Sequence, residues 1–266
     1  MVTSMPRLLL ILLILIVLPV RAEPVHTATV TGIVDGDTVF IDPPYQDGAE
    51  IRLVGIQAPK LPLGRKDFPT WPLAPEAKKA LSDMVLGRQV TLTFTGARRD
   101  RYARWLAHLH VLDGRDAPLW VQGEMLKRGM ARVYSFPDNR GLVTEMLAME
   151  RKARAARRGI WALPYYAVRN PDQRALLGEL GTFQVIEGCI LDAAQVKGTV
   201  YLNFGADWRQ DFTVSIDYKS LKLFEEMTPH PRDWSGRAIR VRGWLSKRNG
   251  PMIKATHPEQ IELLTR

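Results

Sequence analysis

The stretch Val30-Thr-Gly-Ile-Val-Asp-Gly-Asp-Thr-Val-Phe-Ile41 limits the folds open to this chain more than any other. Apolar and β-branched residues flank Asp35-Gly36-Asp37, and Asp-Gly between such runs is a strong hairpin signal. The turn carries two carboxylates, Asp35 and Asp37, to the end of a hairpin. A second stretch, Ile51-Arg-Leu-Val-Gly-Ile-Gln-Ala-Pro59, reads as another strand with an arginine, Arg52, among apolar residues. A carboxylate and an arginine on neighbouring strands suggest a place for a phosphate and a cation.

The rest of the chain divides around this pair. Strands are predicted at 27–34, 36–41 and 49–57, rich in Val, Ile and Thr. Residues 58–74 hold four prolines and no clear period, so they read as a long surface loop of the kind that often carries function. Pro75 opens a helix whose apolar face is Ala77, Leu81, Met84 and Val85, and Gly87 ends it. Strands follow at 90–94 and 104–111, a helical stretch at 117–128 and a short extended piece at 131–134. Residues 141–158 form the strongest helical pattern, with Leu142, Met146, Met149, Ala153, Ala156 and Ile160 at steps of four and three. Its other face carries Arg151, Lys152, Arg154, Arg157 and Arg158, expected to be solvated. Residues 167–181 lack strong patterning and read as a linker. From 182 onward the pattern is almost all strand, at 183–191, 199–204, 211–216, 238–244, 251–255 and 260–264, with one short helix near 219–227. Asn249-Gly250 marks a hairpin. The expectation is a second small β-barrel. No internal repeat is evident in the residues.

Residues 1–22 have the form of a secretory leader. Arg7 is a small basic n-region, residues 8–18 are an unbroken apolar run, and Val20-Arg21-Ala22 offers small residues before a cut. The run is short for a bilayer span, so the expected mature chain is exported, periplasmic or secreted, without a stable membrane span. Loss of Arg7 and Arg21 lowers the formal charge from +9 to +7. The basic excess lies mainly in the first domain and favours a polyanion, nucleic acid above all. With one cysteine, Cys189, no intrachain disulfide is possible. Its apolar surroundings, Val185-Ile-Glu-Gly-Cys-Ile-Leu191, predict a buried small hydrophobe.

Several segments then come together. Val34-Asp-Gly-Asp-Thr38, Arg52-Leu53, Pro75-Glu-Ala77, Asp100-Arg-Tyr-Ala-Arg104, Leu106-Ala107, Gly129-Met-Ala-Arg-Val133, Glu150 and Ile160-Trp161 occur in an order and spacing that resemble the staphylococcal nuclease-like (thermonuclease-like) family over residues 27–163. The resemblance implies a five-stranded OB barrel with three helices, an α+β architecture, and calcium-dependent hydrolysis of DNA and RNA. Such chemistry needs a hard cation with oxygen ligands, a carboxylate base and arginines against the charge of the phosphoryl oxygens.

Carried over residue by residue, the resemblance gives a mixed site. Asp37 matches a metal-binding aspartate. Arg52 and Arg104 match two phosphate-clamping arginines. The second metal carboxylate falls on Gln57, a backbone-carbonyl ligand falls on Ala58, and the general-base glutamate falls on Lys60. Gln57 keeps an oxygen and loses a charge. Lys60 is no carboxylate base and brings a cation to the metal position. The calcium site is therefore expected to be weak or absent, and phosphodiesterase activity weak, divergent or lost. Lys60, with Arg65 and Lys66 nearby, makes a more cationic pocket that suits nucleic acid. From the residues alone, Arg52 also reads as an ion-pair partner of Asp37, and Arg104 as a strand-end surface residue.

Two alternatives stand beside this. One is an active metal-dependent nuclease with a carboxylate relocated from Asp35 or Asp67. The other is an envelope scaffold that binds protein or peptidoglycan through the second barrel, and convergence of basic residues on one groove separates it from the nucleic-acid readings. His108 and His110 alternate on one strand, without a third ligand to complete a zinc site, and read as ordinary barrel positions. Tyr201, Phe204, Phe212 and Trp244 read as core. Trp208, in a turn-like setting, is the candidate base-stacking residue of the second barrel.

Overall fold

The computed structural model describes residues 26–112, 114 and 117–264. The expected leader, residues 1–22, lies outside them. In chain order the elements are β1 (His26–Asp35), β2 (Thr38–Tyr45), β3 (Gly48–Leu53), β4 (Ile56–Gln57), α1 (Ala74–Val85), β5 (Gln89–Thr93), β6 (Trp105–Val111), β7 (Leu119–Trp120), α2 (Val121–Lys127), β8 (Arg132–Val133), α3 (Val143–Ala155), α4 (Gln173–Leu177), β9 (Phe183–Cys189), β10 (Asp192–Val196), β11 (Thr199–Asn203), β12 (Thr213–Ile216), α5 (Tyr218–Leu221), β13 (Ala238–Arg248), β14 (Gly250–Lys254) and β15 (Ile261–Leu263).

The first barrel closes on five strands. β1, β2 and β3 form an antiparallel meander, and β1 also pairs with β5 through its first residues. β5 pairs with β6, and β6 returns parallel to β3, with Arg52 opposite Leu106. Closing the sheet into a barrel needs β1 to bend, and register shifts between Val30 and Gly32 and between Ile33 and Asp35 supply the bend. The interior is aliphatic: Val30, Val39, Ile51, Leu53, Val90, Ala107 and Leu109 are fully buried. Pro75 sits in the first turn of α1, which lays Ala77 and Leu81 on this core.

The second barrel repeats this connectivity without a sequence repeat. Residues 183–196 act as one long strand bent at Ile190 and Leu191. Its first half, β9, pairs with β13, and its second half, β10, pairs with β11. β11 pairs with β12, and β14 runs parallel to β12 to close the circuit, just as β6 does to β3. The small helix α5 follows the third strand, where α1 stands in the first barrel. Both halves are thus OB-like, each with its own apolar core.

Several expectations change. The segment 167–181 is not structureless: it holds α4, capped by the Asp172 carboxylate on the Ala175 amide, with Leu176 in the second core. Cys189 is exposed, not buried, because the apolar run around it spans the bend between β9 and β10 and the alternation of faces breaks there. The basic face of α3 is partly covered. Arg154 pairs with Glu150 at 2.8 Å, and Arg151 reaches Glu262 of β15 at 3.1 Å.

The contact between barrels is polar at its centre. Glu150, fully buried on α3, accepts the Val133 N–H at 2.7 Å and two bonds from Arg242 of β13 at 2.9 and 3.0 Å. Arg242 also donates to Glu262 at 2.8 Å. Burial alone would lower the Arg242 pKa, but Glu150 and Glu262 hold it raised. Arg140–Glu259 and Ser135–His257 are further bridges.

His108 is fully buried on β6, consistent with an ordinary barrel position. The Trp120 N–H donates to its Nδ1 at 3.3 Å, so Nε2 carries the proton and donates to Thr95 Oγ1 at 3.2 Å. Burial, with a smaller contribution from His110, pushes its pKa down to about 4. Burial likewise pushes His257 down to about 4. An unfolded histidine titrates near ~6.5, so both favour the fold in their neutral form. That stability is present above pH ~6.5 and is lost as pH falls through about 4, on the order of 3 kcal/mol for a shift of this size. Urea unfolding is expected to show a lower midpoint at pH 4 than at pH 7, and a smaller drop in His108→Gln.

Candidate functional site

The Asp-Gly-Asp turn forms because its own groups satisfy it. Asp35 Oδ1 accepts the Asp37 N–H at 3.0 Å. Gly36 is required by close approach: a Cβ there would lie 2.6 Å from Ala58 Cβ and 2.9 Å from Ala77 Cβ. The turn is thereby pinned between the loop after β4 and helix α1. Its consequence is that Asp37 points inward and is fully buried.

Four donors converge on the Asp37 carboxylate, one of them the Thr38 hydroxyl, 3.3 Å from Oδ1. Lys60 Nζ lies 2.7 Å from both oxygens. The Ala58 N–H donates to Oδ2 at 2.7 Å, and Arg52 Nη2 lies 3.3 Å from the same atom. Lys60 also bonds Asp35 Oδ2 at 3.1 Å. Burial alone would raise the Asp37 pKa, but the Arg52 and Lys60 charges and the Lys60 hydrogen bonds hold it far below the usual carboxylate range. Asp35 goes the other way, pushed up by burial and by the neighbouring Asp37 charge. Two carboxylates and two cations therefore form a charge-balanced quartet, buried except at Lys60, whose side chain is 20% exposed to the cleft.

Arg52 is turned into the protein. It donates to the carbonyls of Asp37 at 3.2 Å, of Ile56 at 2.5 Å and of Leu53. Its reading as an ion-pair partner of Asp37 is what the geometry displays. Gln57 is directed away from Asp37: its Oε1 accepts two bonds from Arg132, at 2.9 and 2.7 Å. Arg132 in turn donates to the Phe183 carbonyl of the second barrel at 3.0 Å, and burial lowers its pKa to about 10. Arg104 donates through Nε and Nη2 to the single Oδ2 of Asp100, at 2.9 and 2.7 Å, with Glu50 at 3.9 Å. The Asp100 carboxylate also closes its own turn by accepting the N–H groups of Tyr102 and Arg104.

Calcium requires about six to eight oxygens at roughly 2.3–2.6 Å. Here both Asp37 oxygens are taken by an ammonium, the Gln57 oxygen is taken by a guanidinium, and Ala58 contributes its N–H. The Lys60 nitrogen stands where a cation bound to Asp37 would stand. Among the described residues no three His, Cys, Asp or Glu side chains converge. The residues present do not fit the ion.

Above the quartet opens a cleft of about 800 Å³. Six cations line it, namely Arg52, Lys60, Arg65, Arg99, Arg101 and Arg104, against three carboxylates, Asp35, Asp100 and Asp138. Basic residues thus converge on one groove. Arg65 is exposed, lies over the Phe68 ring at 3.6 Å and donates to the Leu61 and Pro62 carbonyls. Lys66 is exposed on the same loop but is not part of the cleft wall, and Asp67 likewise stands outside it. Trp208 is half-exposed beside Arg209 and belongs to a separate cavity of about 420 Å³ on the second barrel, with Tyr201, Arg248 and Met252.

Sequence reasoning missed three participants. Asp100 was visible four residues before Arg104, a spacing that pairs the two. Arg132 was visible only as a motif residue, because its partner Gln57 is distant in sequence. Trp244, read as core, is half-exposed and lines the cleft from the second barrel.

A family profile described as "Staphylococcal nuclease homologue" matches residues 50–163. An "Uncharacterized endonuclease" of Escherichia coli O157:H7 is 28% identical over 144 residues, 54% of this chain and 82% of that protein. "Protein ParB" of Escherichia coli is 33% identical over 140 residues, 51% of this chain and 72% of that protein. The "Thermonuclease" of Staphylococcus intermedius is 26% identical over 134 residues, 48% and 72% of the respective chains. These alignments span about half of the chain, and the profile match covers the first barrel from β3 onward. With the barrel topology, they establish that the chain belongs to the staphylococcal nuclease homologue family.

Proposed function

We propose that this protein binds nucleic acid through the cationic cleft of its first barrel and has lost calcium-dependent phosphodiester hydrolysis. One observation carries the reading: the Lys60 ammonium lies 2.7 Å from both oxygens of Asp37, the carboxylate that matches the family's metal ligand. A cation built into the chain neutralises the site without an added metal. The position of the general base is the same lysine, which is no carboxylate base and whose Nζ is bonded to Asp35 and Asp37. The convergence of six cations on one cleft favours this over an envelope scaffold. We also propose that the protein works after export, periplasmic or secreted, a reading supported by the leader-like residues 1–22.

In this reading phosphates meet Lys60, Arg65, Arg101 and Arg104 at the cleft surface, and Arg52 supports the floor. Binding is therefore expected in EDTA and is expected to weaken steeply with salt. Arg104→Ala is expected to weaken binding of every sequence alike and to lower the slope of log K against log salt by about 0.7 on single strands. Filter binding across a salt series checks both. Absence of salt-sensitive retention for DNA and RNA alike would overturn the proposal.

A second reading rests on Asp35. Its carboxylate lines the cleft beside Lys60 and its pKa is raised, as a relocated base requires. Metal-dependent cleavage that EDTA abolishes and that is lost in Asp35→Asn would favour it.

A further inference from the structure

The second barrel does more than stand beside the cleft. β13 runs along the interface, and Trp244 at its middle reaches the cleft wall of the first barrel. Its indole N–H donates to the Tyr134 hydroxyl at 2.9 Å, which fixes the ring across the domain boundary. Tyr134 meets Phe136 edge-on at 4.8 Å and Phe183 at 5.1 Å. Phe183, the partner of Trp244 on β9, meets the indole edge-on at 6.2 Å. The result is a braced aromatic wall from both barrels. Its outer members remain open, Trp244 at 49% and Phe136 at 44% exposure.

Large exposed aromatic rings in an open, cationic cleft are poorly placed for a merely structural role. The indole N–H is already satisfied, so what the cleft presents is the ring. A ring next to phosphate-binding cations is the arrangement that holds an unpaired base beside its own backbone. Bases inside a duplex are stacked on each other and present only their edges to the grooves.

We propose that Trp244, with Phe136, stacks an unpaired nucleobase, so that the second barrel gives the cleft a preference for single-stranded nucleic acid. The proposal rests on the phosphate-binding reading above and deepens it. The interdomain bonds of Glu150, Arg242 and Arg132 act as positioning contacts, because they hold β13 and its neighbour β9 against the first barrel.

The test uses the full chain in EDTA with three labelled probes: a twelve-nucleotide thymidine strand, an abasic strand of the same length, and a duplex. Wild type is expected to bind the thymidine strand roughly tenfold more tightly than the abasic strand, the scale of one stacked base. Trp244→Ala is expected to bring the thymidine strand down to the affinity of the abasic one, and Trp244→Phe to keep most of the difference. Should Trp244→Ala fail to fold, Phe136→Ala read by the same affinity ratio replaces it. Equal affinity of wild type for thymidine and abasic strands overturns the stacking proposal and leaves phosphate binding standing. A tenfold difference untouched by Trp244→Ala and by Phe136→Ala also overturns it. Failure to bind any of the three probes at low salt overturns the phosphate-binding reading itself.

Discussion

Replacing Glu150 with alanine is expected to destabilise the protein by about 3–5 kcal/mol, the range for removing one partner of a buried ion pair. Glu150 and Arg242 are both essentially without solvent contact, so neither can turn to water when its partner goes. Arg242 would keep only Glu262, and the Val133 N–H would lose its acceptor. Because these bonds tie α3 of one barrel to β13 of the other, the loss is also expected to loosen their coupling. Urea unfolding followed by tryptophan fluorescence should change from one transition to two. A loss under ~1 kcal/mol, the scale of an exposed pair, would mean that the carboxylate is reached by water.

The second large effect is expected at Lys60. Lys60→Met keeps the stem and removes the ammonium. Asp37 then retains Arg52 and the Ala58 N–H but loses the two shortest charged contacts it has. A loss of about 3 kcal/mol at neutral pH follows from leaving a fully buried carboxylate underpaired. The same change leaves Asp35 and Asp37 with less positive charge between them. Millimolar calcium is therefore expected to raise the melting temperature of Lys60→Met and to leave that of wild type unchanged. A calcium shift of equal size in both proteins would show that the ammonium does not occupy the cation's place.

The fold was largely legible because its devices are local. An Asp-Gly-Asp turn between β-branched runs, a proline opening α1 and an alternating strand at β5 each specify their own element. The second barrel was legible as strands, but its topology depends on the bend at Ile190–Leu191, which has no turn residue to announce it. That bend also reversed the expectation for Cys189. The site was legible by residue type and less so by direction. Gln57 and Lys60 could be read as departures from a metal site. The destination of each side chain was set by partners distant in sequence, Arg132 for Gln57 and the Asp35–Asp37 turn for Lys60. Arg52 illustrates the same limit: a strand arginine among apolar residues can face a ligand or its own backbone carbonyls, and here the carbonyls and Asp37 hold it. Trp244 could not be read as a cleft residue, because its exposure arises only when two barrels meet.

A single gel decides whether the lysine-for-metal exchange governs what the protein does. Wild type and Asp37→Ala are incubated with a labelled single-stranded oligonucleotide, with calcium or with EDTA, and both retention and strand length are read. The expected result for wild type is an intact strand, retained equally in calcium and in EDTA and released by salt. Calcium-dependent shortening of the strand that Asp37→Ala abolishes would contradict the account, because it would require a working metal site where Lys60 now sits.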